Sequence, residues 1–248
     1  MSDWNDHFSS VSADYRQWRP GYPRALFDYL GGVAPGRGLA WDCATGNGQA
    51  ATMLGEVFER VLATDASAAQ IANAEPHPRV AYQVARAESC PLGDCCADLV
   101  TAAQALHWFD IEAFWREVRR VLRPRGVVAV WGYGLAFVGP GVDEAIARFS
   151  AETVGPYWPP QRAIVDTAYA GISFPFEPID TPPFSMTAQW TLGHMLAYIA
   201  TWSSVDGYRR HKGEDPMPAF AEELAGVWGD PAGHREISWP LILEVGRV

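Results

Sequence analysis

The stretch Leu39-Ala40-Trp41-Asp42-Cys43-Ala44-Thr45-Gly46-Asn47-Gly48-Gln49-Ala50-Ala51 constrains this chain more than any other. An apolar run leads in and Asp42 closes it. Gly46 and Gly48 follow, and a helical pattern opens at Gln49. This is the layout of a strand, a tight glycine turn and a helix N-terminus. Glycine at alternate positions lets the backbone take positive φ and lets a ligand approach without a Cβ in the way. The free N–H groups of the first helical turn then point at whatever sits there. The stretch reads as a nucleotide-type cofactor site. A second feature supports it: Val61-Leu62-Ala63-Thr64 is a short apolar run ending in Asp65. An acid roughly 20 residues beyond the glycines, at the end of the second strand, suits hydrogen bonding to ribose hydroxyls.

The pattern continues as alternating helices and strands. Pro23 starts a helix over Arg24 to Leu30 that Gly31-Gly32 should stop. Gln49 to Val61 reads as a crossover helix with Met53, Leu54, Val57 and Phe58 on one face. Ser67 caps a helix through Ala74, and Val80 to Ala85 is a third strand. Asp98 to Ala103 is a fourth strand, ending at Gln104-Ala105-Leu106-His107-Trp108-Phe109. Asp110 caps a helix with Ile111, Phe114, Trp115 and Val118 on its apolar face. Pro124-Arg125-Gly126 turns into a fifth strand, Val127 to Trp131. This order predicts an α/β fold: a Rossmann-like, doubly wound, mostly parallel sheet with helices on both faces. Ligands on such sheets bind outside the carboxyl ends of the strands, where Asp42, Asp65, Ala87-Glu88 and Gln104 to Trp108 all fall.

After Gly134 the pattern changes. Asp143 to Val154 reads as a helix, and Gly155 to Pro183 as an ordered loop or cap rich in proline and aromatics. Phe184 to Trp190 alternates like a strand. Thr191 caps a helix reaching Trp202, and Pro218 to Trp228 reads as another. Trp239 to Val248 alternates again and adds an antiparallel last strand. The expected organisation is one domain over 1–248: an N-terminal lid segment (1–35), a cofactor-binding core (36–135), a helical and loop cap around the substrate (136–235) and a final strand (236–248).

Composition narrows the partners. The chain has 248 residues, 48% of them hydrophobic, enough for one large core. Its net charge of −10 makes nucleic acid a poor partner. No apolar run is long enough to span a bilayer, and the N-terminus shows no charged-then-apolar leader. Cys43, Cys90, Cys95 and Cys96 lack metal-ligand spacing and read as reduced thiols of a cytoplasmic monomer or homodimer, with no metal site.

These residues together resemble the class I S-adenosylmethionine-dependent methyltransferases, in particular the type 11 and trans-aconitate-methyltransferase-like small-molecule group. The resemblance runs from Leu39 to Gly134. It rests on Asp42 to Gly48, Asp65, Ala87-Glu88, Gln104 to Phe109, and Val121-Leu122-Arg123-Pro124-Arg125-Gly126. The flanks His7-Phe8, Arg19-Pro20-x-Tyr22-Pro23 and Tyr157-Trp158-Pro159-Pro160 resemble one subgroup. The family's first glycine is Ala44 here, which fits only if φ is negative at that position.

The resemblance implies roles. Gly46, Asn47 and Gly48 would lie against the methionine part of S-adenosyl-L-methionine, and Asp42 would help hold its amino group. Asp65 would take the ribose hydroxyls, with Ala66 beside the adenine and Ala87 and Glu88 along its edge. Gln104 and Ala105 would pass under the sulfonium, with His107 and Trp108 toward a small-molecule methyl acceptor. From the residues themselves, Tyr15 and Trp108 offer rings to a sulfonium cation, and Arg19 offers a guanidinium to the cofactor carboxylate. His107 is the candidate catalytic base, against the plainer reading of a packed histidine. Trp108, Tyr133, Tyr157 and Trp202 are the candidates for the acceptor pocket. Arg209, Arg210 and Lys212 read as a solvated helix end rather than an anion site. The implied activity is methyl transfer to a carboxylate or hydroxyl oxygen. The competing readings are a nicotinamide-dependent oxidoreductase, to which Gly46-x-Gly48-x-x-Ala51 also answers, and a non-catalytic S-adenosylmethionine binder. Asp42 ahead of the glycines would repel a pyrophosphate, which counts against the first.

Overall fold

Strand β1 (Leu39–Cys43) runs through the middle of a seven-stranded sheet, with almost every side chain buried. The computed structural model describes residues 18–248. In chain order it holds α1 (Arg24–Val33), β1, α2 (Gln49–Gly55), β2 (Arg60–Asp65), α3 (Ala68–Ala72), β3 (Val80–Val84) and β4 (Ala97–Ala103). A 3-10 turn (Leu106–Trp108), α4 (Ile111–Val121) and β5 (Leu122–Gly132) complete the core. The cap follows with α5 (Pro140–Arg148), a π turn (Phe149–Thr153), α6 (Arg162–Asp166), β6 (Glu177–Pro178), β7 (Ser185–Trp190), α7 (Leu192–Ala200), α8 (Ser203–Lys212) and α9 (Met217–Trp228). The chain ends in β8 (Arg235–Pro240) and β9 (Ile242–Arg247).

The sheet order is β3-β2-β1-β4-β5-β9-β6. β1 to β5 are parallel, and β9 lies antiparallel to both β5 and β6. The order reverses direction at β1 and β4, and that switch point opens a crevice at the strands' carboxyl ends. Alternate side chains supply the two faces. On one face Trp41, Cys43, Val100 and Val128 pack under Phe114, Trp115 and Val118 of α4. On the other, Ala40, Ala63 and Trp131 meet Leu26, Phe27 and Leu30 of α1 and Leu54 of α2. A third cluster joins α5, α7 and α9 to the two-stranded β7–β8 sheet around Trp190, Tyr198 and Trp239.

The Rossmann-like architecture with its antiparallel strand is thus as expected, and so are the caps on Ser67 and Asp110, whose side chains accept from Gln70 N–H and Ala113 N–H. Several boundaries differ. α1 runs through Gly31 and Gly32 and stops only before Pro35, because the residue before a proline is driven out of helical geometry. A Cβ at Gly31 would lie 2.4 Å from Val57 Cγ1, so this glycine lets the two segments pack closely rather than ending the helix. α2 ends at Gly55, short of Val61, although Leu54 and Phe58 are buried as expected. β5 begins at Leu122, pairs there with Ala97, and passes through a left-handed Arg125 before its main ladder. The helix after Thr191 breaks before Trp202 and restarts at Ser203. The final strand is two strands, divided after Pro240, with β8 in the small sheet and β9 in the large one.

Candidate active site

A cavity of about 950 Å³ lies over the carboxyl ends of β1, β2, β4 and β5 and under the cap. It is bordered by Arg19, Asp42, Gly46, Asn47, Asp65 and Ala66 on one side. Ala87, Glu88, Gln104, Ala105, His107 and Trp108 line its floor. Tyr133, just past β5, and Tyr157 and Trp202 of the cap complete the lining. Sequence-expected residues from eight separate segments therefore converge. Tyr15, and the motif His7-Phe8, lie outside the described residues.

The turn after β1 is shaped by backbone conformation. Ala44, Gly46 and Gly48 take φ of 52°, 56° and 88°. The expectation of negative φ at Ala44 is not met: alanine occupies the left-handed region, at a cost of about 1–2 kcal/mol. The neighbouring bonds hold it there. Thr45 N–H donates to Thr64 C=O at 2.9 Å, and Thr45 Oγ1 donates to Asp42 Oδ2 at 2.5 Å. The two glycines have different duties. A Cβ on Gly46 would enter open space on the cavity side. A Cβ on Gly48 would meet Tyr82 Oη at 2.4 Å, and Gly48 does not border the cavity. Gly48 turns the chain into α2 and packs on Tyr82.

Asp42 is 1% exposed. Thr101 Oγ1 donates to its Oδ1 at 2.6 Å, opposite the bond from Thr45. Burial raises its pKa to about 6, although both hydroxyls favour the ionised form and so pull it down; the nearby Asp65 charge adds to the rise. Asp65, at the tip of β2, accepts Gly46 N–H on Oδ2 at 2.9 Å and Ser67 N–H on Oδ1 at 2.8 Å. Glu88 is held by Asp110 N–H at 3.1 Å and by Arg86 at 3.3 Å. Gln104 sits at φ 53° just past β4 and donates from Nε2 to Tyr133 C=O at 3.0 Å.

The opposite wall is aromatic. Arg19 lies over the Tyr198 ring, with Cζ 5.4 Å from the centroid, and donates to Tyr133 Oη at 3.3 Å. Arg162 lies 4.6 Å over the Trp158 ring, and Trp158 is 5.5 Å from Trp202. Arg209 and Arg210 lie in the last turn of α8 with side chains that reach solvent, pair with Asp215 and Asp206, and also reach the border of the cavity. Lys212 is exposed and off the cavity. Thr45, Thr101, Tyr198 and Arg162 carried no site signal in the sequence. Trp158-Pro159-Pro160 carried a motif signal without a role.

A nucleoside with an amino-acid tail fits this lining. Gly46 leaves its flank open, Asp65 offers acceptors to a diol, and Ala66 and Ala87 present small faces to a flat base. Among the described residues no cluster of three or more His, Cys, Asp or Glu is placed to hold a metal, and no helix is long and apolar enough to cross a membrane.

Comparison with known proteins agrees with this geometry. Residues 41–130 match a family described as a methyltransferase domain. A candidate methyltransferase of Dictyostelium discoideum is 32% identical over 238 residues, covering 94% of this chain and 90% of that protein. An uncharacterized methyltransferase of Mycobacterium tuberculosis is 35% identical over 131 residues, 52% of this chain and about half (53%) of that protein. The structure of a candidate type II methyltransferase from Anaeromyxobacter dehalogenans aligns with a TM-score of 0.87 at 45% identity, covering 92% of this chain and 97% of that one. The strand order, the turn after β1 and these similarities together establish that the chain belongs to the class I S-adenosylmethionine-dependent methyltransferases of type 11.

Proposed function

We propose that this chain binds S-adenosyl-L-methionine along the β1, β2 and β4 tips and transfers its methyl group to a small organic acceptor, a carboxylate or hydroxyl oxygen, held under the cap. The observation that carries this reading is Asp65, fixed by Gly46 N–H and Ser67 N–H and bordering the same cavity as the open flank of Gly46. When bound, the cofactor supplies a methyl group already activated by a positively charged sulfur. The protein's share is then alignment and exclusion of water. Asp65 would accept the ribose hydroxyls, Ala66, Ala87 and Glu88 would flank the adenine, and Asn47 and Arg19 would hold the amino-acid end. Asp42 would act on the cofactor's amino group as a buried charge, directly or through water. Ala105 and Gln104 would form the floor beneath the sulfur.

A nicotinamide dinucleotide suits the lining less well, since Asp42 places a carboxylate under the turn that a pyrophosphate would need. The same reading takes the protein as a single-domain cytoplasmic monomer or homodimer without a nucleic-acid partner. Titration calorimetry with S-adenosylmethionine and NAD in parallel tests it. Binding of S-adenosylmethionine alone is expected, with conversion to S-adenosylhomocysteine when a metabolite extract is added. Binding of NAD without S-adenosylmethionine would reject it.

A further inference from the structure

His107 sits in the 3-10 turn at the tip of β4, and its ring borders the cavity. Its Nδ1, however, is buried and among the described residues has no hydrogen-bond partner. Tyr169 lies beside it, ring to ring at 6.5 Å with a 32° tilt. Tyr169 is 3% exposed, and its hydroxyl is likewise buried without a partner among the described residues. An orphaned buried polar atom costs about 1–3 kcal/mol, so two such atoms on neighbouring rings call for an explanation.

The backbone is distorted to bring Tyr169 here. Ala168 and Tyr169 take φ of 52° and 60°, a conformation that a bulky residue seldom adopts. Gly132 makes the space: a Cβ there would lie 2.4 Å from Tyr169 Oη and 3.1 Å from Gln104 Oε1. The phenol and the Gln104 amide thus flank Gly132 at the end of β5, and the His107 ring lies 6.5 Å from the Tyr169 ring. A polar site of this kind, with two to four partners, is where a buried water is held.

The charge that acts on His107 is that of Arg162. α6 packs against the 3-10 turn and brings Arg162, whose Nε bonds Asp166 at 2.8 Å on the far side. Among the described residues no carboxylate is hydrogen-bonded or ion-paired to His107. Burial, and then the Arg162 charge, push its pKa down to about 4. A general base normally has a group behind it that stabilises the protonated ring. Among the described residues no such group is bonded to His107; a phenol ring lies 6.5 Å from its ring, and Arg162 is the cation that acts on it.

We propose that Tyr169 is a positioning residue for His107: through one water its hydroxyl donates to Nδ1, which leaves the ring hydrogen on Nε2 and makes His107 a hydrogen-bond donor to the acceptor rather than the base that deprotonates it. This rests on the reading that the acceptor occupies the cap side of the cavity. The acceptor class follows. Its nucleophilic atom carries no proton to lose at neutral pH, which selects a carboxylate over an alcohol.

The test is two-bond nitrogen–proton NMR of the full chain labelled at histidine, with S-adenosylhomocysteine added and His107→Gln used for assignment. Wild-type His107 is expected uncharged between about pH 5.5 and 7, in one tautomer with the proton on Nε2. Tyr169→Phe keeps the ring and removes the hydroxyl; the two tautomers should then mix. Gly132→Ala, which displaces the hydroxyl while retaining both side chains, should shift the spectrum the same way and serves if Tyr169→Phe does not fold. A wild-type midpoint near the ordinary value of roughly 6.5 overturns the proposal. So does a wild-type Nδ1–H tautomer, or variant spectra identical to wild type. Failure of S-adenosylhomocysteine to bind instead counts against the cofactor reading, and the His107 spectrum is then read on the protein alone.

Discussion

Gly46 N–H donates to Asp65 Oδ2 at 2.9 Å, so the turn after β1 is fastened to the acid at the tip of β2. The residue expected to take a ribose therefore also fixes the loop expected to take the methionine part. Asp65→Ala should weaken S-adenosylmethionine binding by about 1.5–3 kcal/mol, on the order of tenfold to a hundredfold or somewhat more in Kd. Calorimetry on the folded variant measures this. An unchanged Kd would remove Asp65 from the site.

Gly46 and Gly48 should separate binding from stability. In Gly46→Ala the new methyl enters the cavity, and the left-handed φ of 56° adds about 1–2 kcal/mol of strain. Its main effect should be a loss of cofactor affinity of about tenfold or more. Gly48→Ala meets Tyr82 Oη at φ 88°, so it should lower stability by about 2 kcal/mol or more with little change in affinity. Adding Tyr82→Phe should recover part of that loss, despite removing the bond from Tyr82 Oη to Glu75 C=O. Thermal unfolding and calorimetry on the same preparations separate the two effects, and equal losses of affinity would contradict the assignment.

Asp42 should leave a mark on the pH dependence of stability. Its folded pKa of about 6 lies above its ordinary value of 3.8, so the folded protein binds the extra proton between those values. Stability from this group is full below about pH 4 and is lost as pH rises through about 6, a change on the order of 3 kcal/mol. Asp42→Asn should flatten that part of the profile. At acid pH, where the Asp42 carboxyl is itself protonated, Asn presents a similar pattern of one acceptor oxygen and one donor, so stability there should stay close to that of the wild type. Denaturant unfolding across pH 4 to 7, each value approximate, measures both, and parallel profiles for wild type and variant would refute the shift.

Asp98 tests the opposite, amino-terminal end of the central strands. It is fully buried, accepts from Gly38 N–H and Leu39 N–H at 2.9 and 3.0 Å, and pairs with Arg123 at 2.9 Å. It thereby fixes the start of β1, far from the cavity rim. Asp98→Ala should cost about 3 kcal/mol or more of stability by denaturant unfolding. The cofactor Kd should stay as in wild type if the variant is folded. A selective loss of affinity would mean that the register of β1 reaches the site.

The core was legible because its signals are local. A buried strand, a glycine turn and an acid at the next strand's tip lie close together in sequence and specify β1, the turn and β2. The rest depends on contacts that residue type does not announce. Gly31 looks like a helix stop, yet it lets Val57 approach, and Gly48 looks like a ligand glycine, yet it accommodates Tyr82. Ala44 takes a glycine's conformation because Thr45 is bonded to both Thr64 and Asp42. Arg162 and Tyr198 reach the cavity from separate cap helices, which no spacing rule links to β4. The last strand reads as one run, but Pro240 divides it between two sheets.

The most direct measurement is a crystal structure of the protein with S-adenosylhomocysteine bound. The ribose hydroxyls should lie within hydrogen-bond distance of the Asp65 carboxylate, with the amino-acid tail along Gly46. A nucleoside bound elsewhere, or an Asp65 carboxylate turned to bulk solvent away from the sugar, would contradict the account.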